Sequence, residues 1–293
     1  MKSLTVFTPT YNRAYCLGQL YDSLVRQTNK DFVWLIVDDG SSDTTKEVVA
    51  SWQKEDKIEI QYVYQENQGM HGAHNTAYKT IVTELNVCID SDDYMPDDAI
   101  AKLLNFWNRN KNENVAGIIA LDSFKNGEVI GDKIPEAITE TTVKDLYDKH
   151  KIAGDKKLIY RTEIVKKYQE YPIFNDERFV PLGILYLEID QDYKMLTLNE
   201  IVCIVEYLPD GSSLNMFKQY KRHPKGFAYS RLIEMKYSTK VSYTFTRSLH
   251  YISSCIFQKK VDVFSQNPCK FITFLALPFG ILFHVYILLK IRK

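Results

Sequence analysis

The sequence predicts an α/β protein built on a mostly parallel sheet with helices on both faces. In the first 110 residues, short apolar runs alternate with segments whose apolar residues recur at helical spacing. Acidic and polar residues directly follow four of these runs, as they do where parallel strands end at a ligand-binding edge. An almost wholly apolar segment near the end of the chain adds a C-terminal helical, membrane-associated part.

Each element of the first half is predicted from its own pattern. Strands are predicted at 4–8, 32–37, 58–64 and 87–89, and helices at 17–25, 43–53, 72–85 and 97–110. Thr44 and Glu47 are spaced like a capping box at the start of the second helix. Further along, strands are predicted at 115–121 and 157–160 and a helix at 161–169.

Composition excludes several classes of protein. With 45% hydrophobic and 13% aromatic residues in 293, the chain can form a large core, so global disorder is excluded. Lys plus Arg and Asp plus Glu both number 37, and a net charge of zero argues against a nucleic-acid partner. Five scattered cysteines without a CxxC pair predict free thiols in a reducing compartment. No signal peptide is predicted before the first strand.

Four strand ends carry residues suited to a ligand site. The segments are 8–13 (TPTYNR), 38–43 (DDGSSD), 65–75 (QENQGMHGAHN) and 90–93 (DSDD). Any one of them could be a solvated turn, since Asp, Gly and Ser are common turn residues. In a parallel sheet, however, all four would lie at the same edge, where ligands bind in α/β proteins.

The segment 90–93 suggests a metal site. Its three carboxylates repel one another unless a cation lies among them. Mg²⁺ and Mn²⁺ prefer oxygen ligands and often bind one or two carboxylates together with substrate phosphates. The alternative is an acidic helix N-terminus. That alternative explains Asp97 and Asp98 well, but explains Asp90, which ends an apolar strand, poorly.

These motifs, in this order, resemble those of family 2 glycosyltransferases, which have the GT-A fold and use nucleotide sugars. The matching residues are TPTYN at 8–12, VDDGSSD at 37–43, ENQG at 66–69 with Ala73 and Asn75, and DSDD at 90–93 before Pro96 and Asp97. The resemblance covers the first 110 residues and is specific only as a set.

The resemblance implies roles for individual residues. Tyr11 would stack on uracil and Asp39 would bind the base. Asp90 would face the ribose, and Asp92, with Asp90, would hold Mn²⁺ or Mg²⁺ on the diphosphate. The predicted nucleotide-sugar-binding residues are Thr8, Pro9, Tyr11, Asn12, Arg13, Asp39, His74, Asn75 and Asp90.

Two histidines have several possible roles. His71 and His74 are spaced i, i+3, which would suit zinc on one helix face, but the sequence shows no third ligand. Hydrogen bonds to the nucleotide sugar are the preferred role for His74 and Asn75, while a structural role for His71 stays open.

The catalytic base is the point where the sequence departs from the family. The resemblance implies an acid at a helix start that removes a proton from the acceptor hydroxyl. The matching register falls near Pro181 and Leu182, where no acid stands. Glu177 is the first candidate and Asp176 the second; a structural pairing of Glu177 with Arg178 or another neighbour is the alternative. The other nearby acids are Glu188 and Asp190.

The C-terminal part suggests contact with an acceptor and a membrane. A turn is predicted at 207–213, and the basic, aromatic segment 215–227 is either an acceptor groove or a solvated helix face. Residues 271–289 form an apolar run close to the roughly 20 residues of a membrane span. Pro278, Gly280 and His284 also permit a kinked or interfacial helix. The basic flanks favour the cytoplasmic face of the cell membrane.

The sequence therefore predicts a GT-A domain at 1–205, with a nucleotide-sugar half at 1–110 and an acceptor half at 111–205, then an extension at 206–269 and a membrane tail at 270–293. The predicted activity is metal-assisted, inverting transfer from a nucleoside diphosphate sugar, preferably a UDP-sugar, to a lipid-linked or polysaccharide acceptor. The alternative is a non-catalytic nucleotide-sugar-binding or assembly subunit with a degenerate base.

Overall fold

The computed structural model describes residues 2–206 and 216–291. These residues form two compact units. Unit one comprises 2–67, 72–170 and 189–206, and unit two comprises 68–71, 171–188 and 216–291. The predicted turn at 207–213 and the last two residues of the predicted tail lie outside the described residues.

Eight strands and eleven helices occur in the described residues. The strands are β1 Leu4–Thr10, β2 Phe32–Asp38, β3 Ile60–Tyr64, β4 Leu85–Cys88, β5 Val115–Ser123, β6 Glu140–Thr141, β7 Lys156–Arg161 and β8 Lys194–Ile204. The helices are α1 Leu17–Arg26, α2 Thr45–Glu55, α3 Met70–Thr80, α4 Ala99–Asn110, α5 Val143–Asp148, α6 Thr162–Val165, α7 Gly183–Ile189, α8 Met216–Arg222, α9 Pro224–Lys236, α10 Val241–Phe257 and α11 Lys270–Ile291.

The strands of unit one form a single mixed sheet in the order β3-β2-β1-β4-β7-β5-β8-β6. The first four strands of this order are parallel, and Thr10, Asp38 and Tyr64 are aligned across β1, β2 and β3. β7 runs antiparallel to β4 and β5, β8 runs parallel to β5, and β6 runs antiparallel to β8. The predicted mostly parallel α/β architecture is confirmed, and the four motif-bearing strands end at one edge.

The core of unit one explains why β1 and β2 read as continuous apolar runs. Every residue of both strands is buried, as expected when helices cover both faces of a parallel sheet. On one face, the ring of Tyr21 from α1 stacks on Trp52 of α2 with centroids 4.5 Å apart, and Trp34 of β2 packs beside them. This packing fixes α1 and α2 behind the loops that precede them.

One local prediction was wrong, and one strand was missed. Thr44 makes no capping hydrogen bond at the start of α2. Instead, the carboxylate of Asp43 accepts hydrogen bonds from the backbone N–H and the hydroxyl of Thr45, at 3.0 and 2.6 Å. β8 was not predicted, although KMLTLNEIVCI contains β-branched and apolar residues, because the polar residues Asn199 and Glu200 interrupt the pattern.

Unit two is mainly helical. α10 packs against α9 and α11, and the small residues Thr273, Ala276 and Gly280 lie on the buried face of α11. α11 has 22 residues and is long and apolar enough to cross a membrane by length and composition. The predicted C-terminal apolar helix is therefore present, whereas its relation to a membrane is a separate question.

Candidate functional site

The loops after β1 and β2 are tied together by Asn12. Its backbone N–H donates to Ser41 Oγ at 2.9 Å, and its Oδ1 accepts from the backbone N–H groups of Ser42 and Asp43 at 2.8 and 3.3 Å. Asn12 has φ of +54°, a left-handed conformation that asparagine tolerates better than most residues. The predicted ligand residue thus also joins the two loops that would enclose a nucleotide.

Asp38 and Asp39 have different environments although they are adjacent. Asp38 accepts the backbone N–H of Ser41 at 2.8 Å and the hydroxyl of Tyr62 at 2.5 Å, so it holds the turn. Asp39 accepts a hydrogen bond from Gln65 Nε2 at 2.7 Å. Gly40, which follows these two acids, has φ of +87°. A Cβ at this position would come within 2.9 Å of the backbone nitrogen of Asn67. Only glycine fits this close turn without strain.

The residues at the end of β1 divide into buried and exposed positions. Thr8 is fully buried, and its hydroxyl accepts the indole N–H of Trp34 at 3.0 Å; Pro9 is also buried in the strand. Tyr11 is 50% exposed, so its ring is accessible for stacking on a ligand. Arg13 donates to the Tyr15 hydroxyl, and its guanidinium lies 5.7 Å from the centre of that ring.

The acidic cluster after β4 contains two kinds of carboxylate. Asp90 and Asp92 are partly exposed at the carboxyl edge of the sheet, whereas Asp93 is buried. Cys88 Sγ lies 3.7 Å from Asp90 Oδ1. Burial raises the pKa of the Cys16 thiol, and the nearby Asp92 carboxylate raises this pKa further. Asp92 therefore lies near Cys16, the residue that precedes α1.

Asp93 belongs to a buried charge cluster with Lys157 and Asp122, which was not predicted from the sequence. Lys157 Nζ lies 3.9 Å from both Asp93 Oδ2 and Asp122 Oδ1. Burial raises the pKa of Asp93 to about 7 and that of Asp122 to about 6, with Lys157 opposing both shifts. Burial alone would lower the pKa of Lys157, but the surrounding acidic groups, Asp122 and Asp93 among them, raise it well above its usual value. The sign of this cluster in the sequence was Lys157, a charged residue within the predicted strand 157–160.

Three polar residues of α3, His71, His74 and Asn75, are buried. His74 is 1% exposed and packs edge-on against Phe7 and Tyr78, with ring centroids 5.1 and 5.8 Å away. Asn75 is 6% exposed and His71 is 1% exposed. The predicted contacts of His74 and Asn75 with a nucleotide sugar stay predictions.

The donor set at the edge fits a divalent ion that is shared with a substrate. Among residues 2–206 and 216–291, no group of three or more His, Cys, Asp or Glu side chains could hold a metal by itself. A Mg²⁺ or Mn²⁺ ion bound with a diphosphate needs only one or two protein carboxylates. Asp90 and Asp92 provide two partly exposed carboxylates of this kind.

The two candidate bases both contact the start of α9. Glu177 is 3% exposed, and its two oxygens accept the backbone N–H groups of Lys225 and Gly226 at 2.8 and 2.9 Å. Asp176 is exposed and binds Lys225 Nζ at 2.6 Å. Burial raises the pKa of Glu177, although the two amides oppose that shift. The hydrogen bond from Lys225 lowers the pKa of Asp176. A carboxylate at a helix N-terminus is a stabilising arrangement, which favours the structural alternative for Glu177.

The other nearby acids are placed differently. Asp190 accepts the backbone N–H groups of Val143 and Lys144 at 3.0 and 2.7 Å, so it caps α5. Burial raises the pKa of Asp190 to about 6. Burial also raises the pKa of Glu188, which lies on α7. No acid occupies the register at Pro181 and Leu182.

A mostly parallel sheet with polar loops and carboxylates at its carboxyl edge is typical of α/β proteins that bind a ligand at that edge. The glycosyl transferase family 2 model matches residues 5–169. Because this match covers more than half of the 293 residues, the chain belongs to glycosyl transferase family 2. The predicted family is therefore confirmed, and the family and its named relatives support the predicted transferase class.

Two curated relatives have specific names. The GalNAc(5)-diNAcBac-PP-undecaprenol beta-1,3-glucosyltransferase of Campylobacter jejuni is 35% identical over 106 residues, 36% of this chain and 34% of that protein. The poly(ribitol-phosphate) beta-glucosyltransferase of Bacillus spizizenii is 25% identical over 204 residues, 66% of this chain and 32% of that protein. The chain spans about a third or less of the length of the curated relatives it matches.

Solved structures confirm the GT-A type of fold. S. aureus TarS 1-349 in complex with UDP-GlcNAc aligns with a TM-score of 0.62 and 18% identity, over 96% of this chain and 81% of that one. The mannosyltransferase PcManGT from Pyrobaculum calidifontis, in complex with GDP-Man and Mn²⁺, aligns with a TM-score of 0.55 and 15% identity, over 97% and 87% of the two chains. At these identities the likeness establishes the fold alone.

Proposed function

We propose that this glycosyltransferase moves a sugar from a nucleoside diphosphate sugar, preferably a UDP-sugar, to a lipid-linked or polysaccharide acceptor at the cytoplasmic face of the cell membrane. The observation that carries the proposal is the single sheet edge at which β1, β2 and β4 end. The segments that follow these strands contain an exposed aromatic ring at Tyr11, the Asp39 carboxylate and the Asp90–Asp92 pair.

The chemistry of these groups matches the parts of a UDP-sugar. An aromatic ring can stack on a nucleobase, as Tyr11 would. The imide N–H of uracil is a hydrogen-bond donor, and a carboxylate such as Asp39 is a strong acceptor for it. Asp90 and Asp92 would hold a divalent ion, whose charge would neutralise the diphosphate leaving group. The UDP and UDP-GlcNAc complexes of TarS support this choice of donor.

The acceptor class rests on the relatives and on the apolar helix α11. The Campylobacter relative is named for an undecaprenol diphosphate-linked acceptor and the Bacillus relative for poly(ribitol phosphate). Both are named as beta-glucosyltransferases, which supports inversion at the anomeric carbon if the donor is α-linked. An acceptor held in a membrane would meet the enzyme by lateral diffusion if α11 binds the same membrane.

The catalytic base stays a prediction, with Glu177 first and Asp176 second. A base must reach the acceptor hydroxyl, whereas both oxygens of Glu177 accept amide hydrogen bonds from α9. Turnover of a Glu177 variant therefore decides this assignment separately from the donor site.

A donor screen tests the proposed function. Purified full-length protein is incubated with Mn²⁺ and a panel of UDP-, GDP-, ADP- and dTDP-sugars, and release of the nucleoside diphosphate is measured. We expect release from a UDP-sugar, with hydrolysis by water in place of the missing acceptor. Preferential release from a GDP- or dTDP-sugar would overturn the choice of base, and a failure of every donor both to bind and to react would overturn the proposal.

A further inference from the structure

Helix α11 has one face buried by protein and an opposite face that is apolar and exposed. Thr273, Ala276, Gly280 and Ile287 are buried, at the spacing of one helix face. The exposed large apolar side chains of the helix are Phe271, Phe274, Leu275, Phe279, Ile281, Leu282, Val285, Tyr286 and Leu289. Residues 271–289 contain no Asp, Glu, Lys or Arg. A helix that packs on one side and meets water on the other would carry polar residues here, so this outer face is suited to an apolar medium.

The buried face is joined to α10 by specific contacts. Ser248 Oγ lies 3.0 Å from Thr273 Oγ1, and Ser253 Oγ lies 3.0 Å from His284 Nδ1. Between these pairs, a Cβ added at Gly280 would come within 2.8 Å of the Ile252 side chain. The absence of a side chain at Gly280 therefore allows the two helices to approach closely. α11 cannot leave α10 without breaking two hydrogen bonds and opening this contact.

Helix α10 cannot accompany α11 into the hydrocarbon without cost. Arg247 of α10 pairs with Glu234 of α9, with Nε and Oε2 2.7 Å apart, and Arg231 Nη1 lies 2.7 Å from Glu234 Oε1. The side chain of Arg247 is 25% exposed. Charged groups at the bilayer centre are strongly unfavourable, and the polar side chains freed by separating α10 from α11 would also lose their hydrogen-bond partners.

We propose that α11 lies in the plane of an anionic membrane as a one-sided anchor, with both of its ends on the same side as the enzyme, and does not cross the bilayer. This inference rests on the membrane location in the proposed function and specifies its topology. The exposed face enters the boundary between headgroups and acyl chains while the α10 face stays covered by protein. No rearrangement of α9, α10 or α11 is needed.

Charge favours lipid over a second copy of the chain as the occupant of this face. Lys270 and Lys290 stand at the two ends of α11. In a parallel pairing of two copies each lysine would approach its own counterpart, and in an antiparallel pairing Lys270 would approach Lys290, so both pairings bring like charges together. Helix α8, whose sequence MFKQYKR has three basic and no acidic residues, contacts α11 through Phe217 and Tyr286. These cations suit anionic headgroups.

A protease-protection experiment tests the topology. The full chain with a C-terminal epitope is expressed in a bacterial host, and protease is added to spheroplasts and, separately, to inverted membrane vesicles. We expect the epitope to be protected in spheroplasts and digested in inverted vesicles, because both ends of α11 face the cytoplasm. Digestion in spheroplasts would show that α11 crosses the bilayer and would overturn the proposal.

A vesicle assay with matched variants tests whether the exposed face of α11 binds lipid. Purified protein is floated with phosphatidylcholine vesicles with or without phosphatidylglycerol. Leu282→Glu and Val82→Glu each place a carboxylate at a similarly exposed apolar residue, 67% and 68% exposed, but only the first lies on α11. We expect Leu282→Glu to lower binding to anionic vesicles by about tenfold or more and Val82→Glu to leave it unchanged.

The remaining outcomes separate this inference from the proposed function. A wild-type protein that does not float and forms a dimer abolished by Leu282→Glu would overturn the lipid assignment in favour of a second copy. Equal loss of vesicle binding in Leu282→Glu and Val82→Glu would also overturn the lipid assignment. Nucleoside diphosphate release is measured on the same preparations, and its absence bears on the proposed function while leaving the topology result intact.

Discussion

In two pairs of adjacent aspartates, Asp38–Asp39 and Asp92–Asp93, the two carboxylates have different contacts. Asp38 holds a turn through Ser41 and Tyr62, while Asp39 contacts Gln65. Asp92 is partly exposed, while Asp93 points inward to Lys157. In each pair one carboxylate supports the fold, and the other is the one predicted to contact the ligand.

The base-binding role of Asp39 gives the first prediction. Asp39→Ala should weaken UDP binding by about 1.5–3 kcal/mol, the usual contribution of a hydrogen bond to a charged group. Isothermal titration measures this change, with Asp22→Ala, an exposed acid on α1, as the control. Unchanged affinity in Asp39→Ala would show that the base binds elsewhere.

The buried cluster of Lys157, Asp93 and Asp122 predicts a pH-dependent loss of stability. The folded-state pKa values of Asp93, about 7, and Asp122, about 6, exceed the ordinary value of 3.8. The folded state therefore binds more protons than the unfolded state between pH 4 and 7, and this contribution to stability falls as pH rises through that window. Removing the lysine should raise both pKa values further.

Lys157→Met should therefore destabilise the protein more at pH 8 than at pH 5. At pH 8 we expect a loss of about 3–5 kcal/mol, the usual cost of leaving a buried charge unpaired. At pH 5 the loss should be smaller because the carboxyl groups can take up protons. Urea unfolding at both pH values measures this, with Lys79→Met, which removes an exposed ion pair to Glu170, as the control. An equal loss at the two pH values would refute a role for the cluster in pairing charge.

At the scale of elements, carboxylates stabilise the starts of two helices that the sequence did not predict, α5 and α9. Asp190 accepts two amides of α5, and Glu177 accepts two amides of α9. Glu177 and Gly226 are 49 residues apart in the chain. No local pattern around Glu177 could have shown this contact, so an acid selected as a base turned out to lie at a helix N-terminus.

Glu177→Ala should lower the free energy of unfolding by about 1–3 kcal/mol, because two helix amides lose their acceptor. Thermal and urea unfolding measure this change, and Asp176→Ala, which removes only an exposed contact with Lys225, should leave the melting temperature unchanged. A fully stable Glu177→Ala protein would contradict the capping role.

The same variant tests the predicted base. Wild-type turnover of a folded Glu177→Ala protein would remove Glu177 from the chemistry. Loss of turnover with unchanged UDP affinity, at a temperature where the variant is folded, would support its assignment as the base.

At the scale of the whole molecule, local patterns predicted β1 to β5, β7 and the C-terminal apolar helix, but not β6, β8 or the strand order beyond β4. Strands β1 to β4 and their terminal motifs were foreseen because each is specified within a few residues. The antiparallel insertion of β7 depends on contacts such as that between Asn86 and Tyr160, 74 residues apart. Likewise, the ion pairs of Lys157 could not be predicted locally, because they depend on β7 placing it near Asp93 and Asp122. The predicted domain boundaries stay untested.

Anchoring and chemistry should be separable. The core cluster built on β1, β2 and β4 contains no residue of α11, so deletion of 270–293 should move the protein to the soluble fraction and leave transfer to a soluble acceptor intact. Fractionation, circular dichroism and the transfer assay measure location, folding and activity. A truncated protein that stays on membranes, or one that is folded but inactive, would contradict this separation.

Metal-dependent release of UDP tests the central claim most directly. Release from the preferred UDP-sugar is measured for wild type, Asp92→Ala and Asp93→Ala, with Mn²⁺, after chelation, and after Mn²⁺ is restored. We predict that chelation abolishes release, that Mn²⁺ restores it, and that Asp92→Ala is more damaging than Asp93→Ala. Release that is unaffected by the chelator or by Asp92→Ala would contradict a metal-assisted nucleotide-sugar site at this sheet edge.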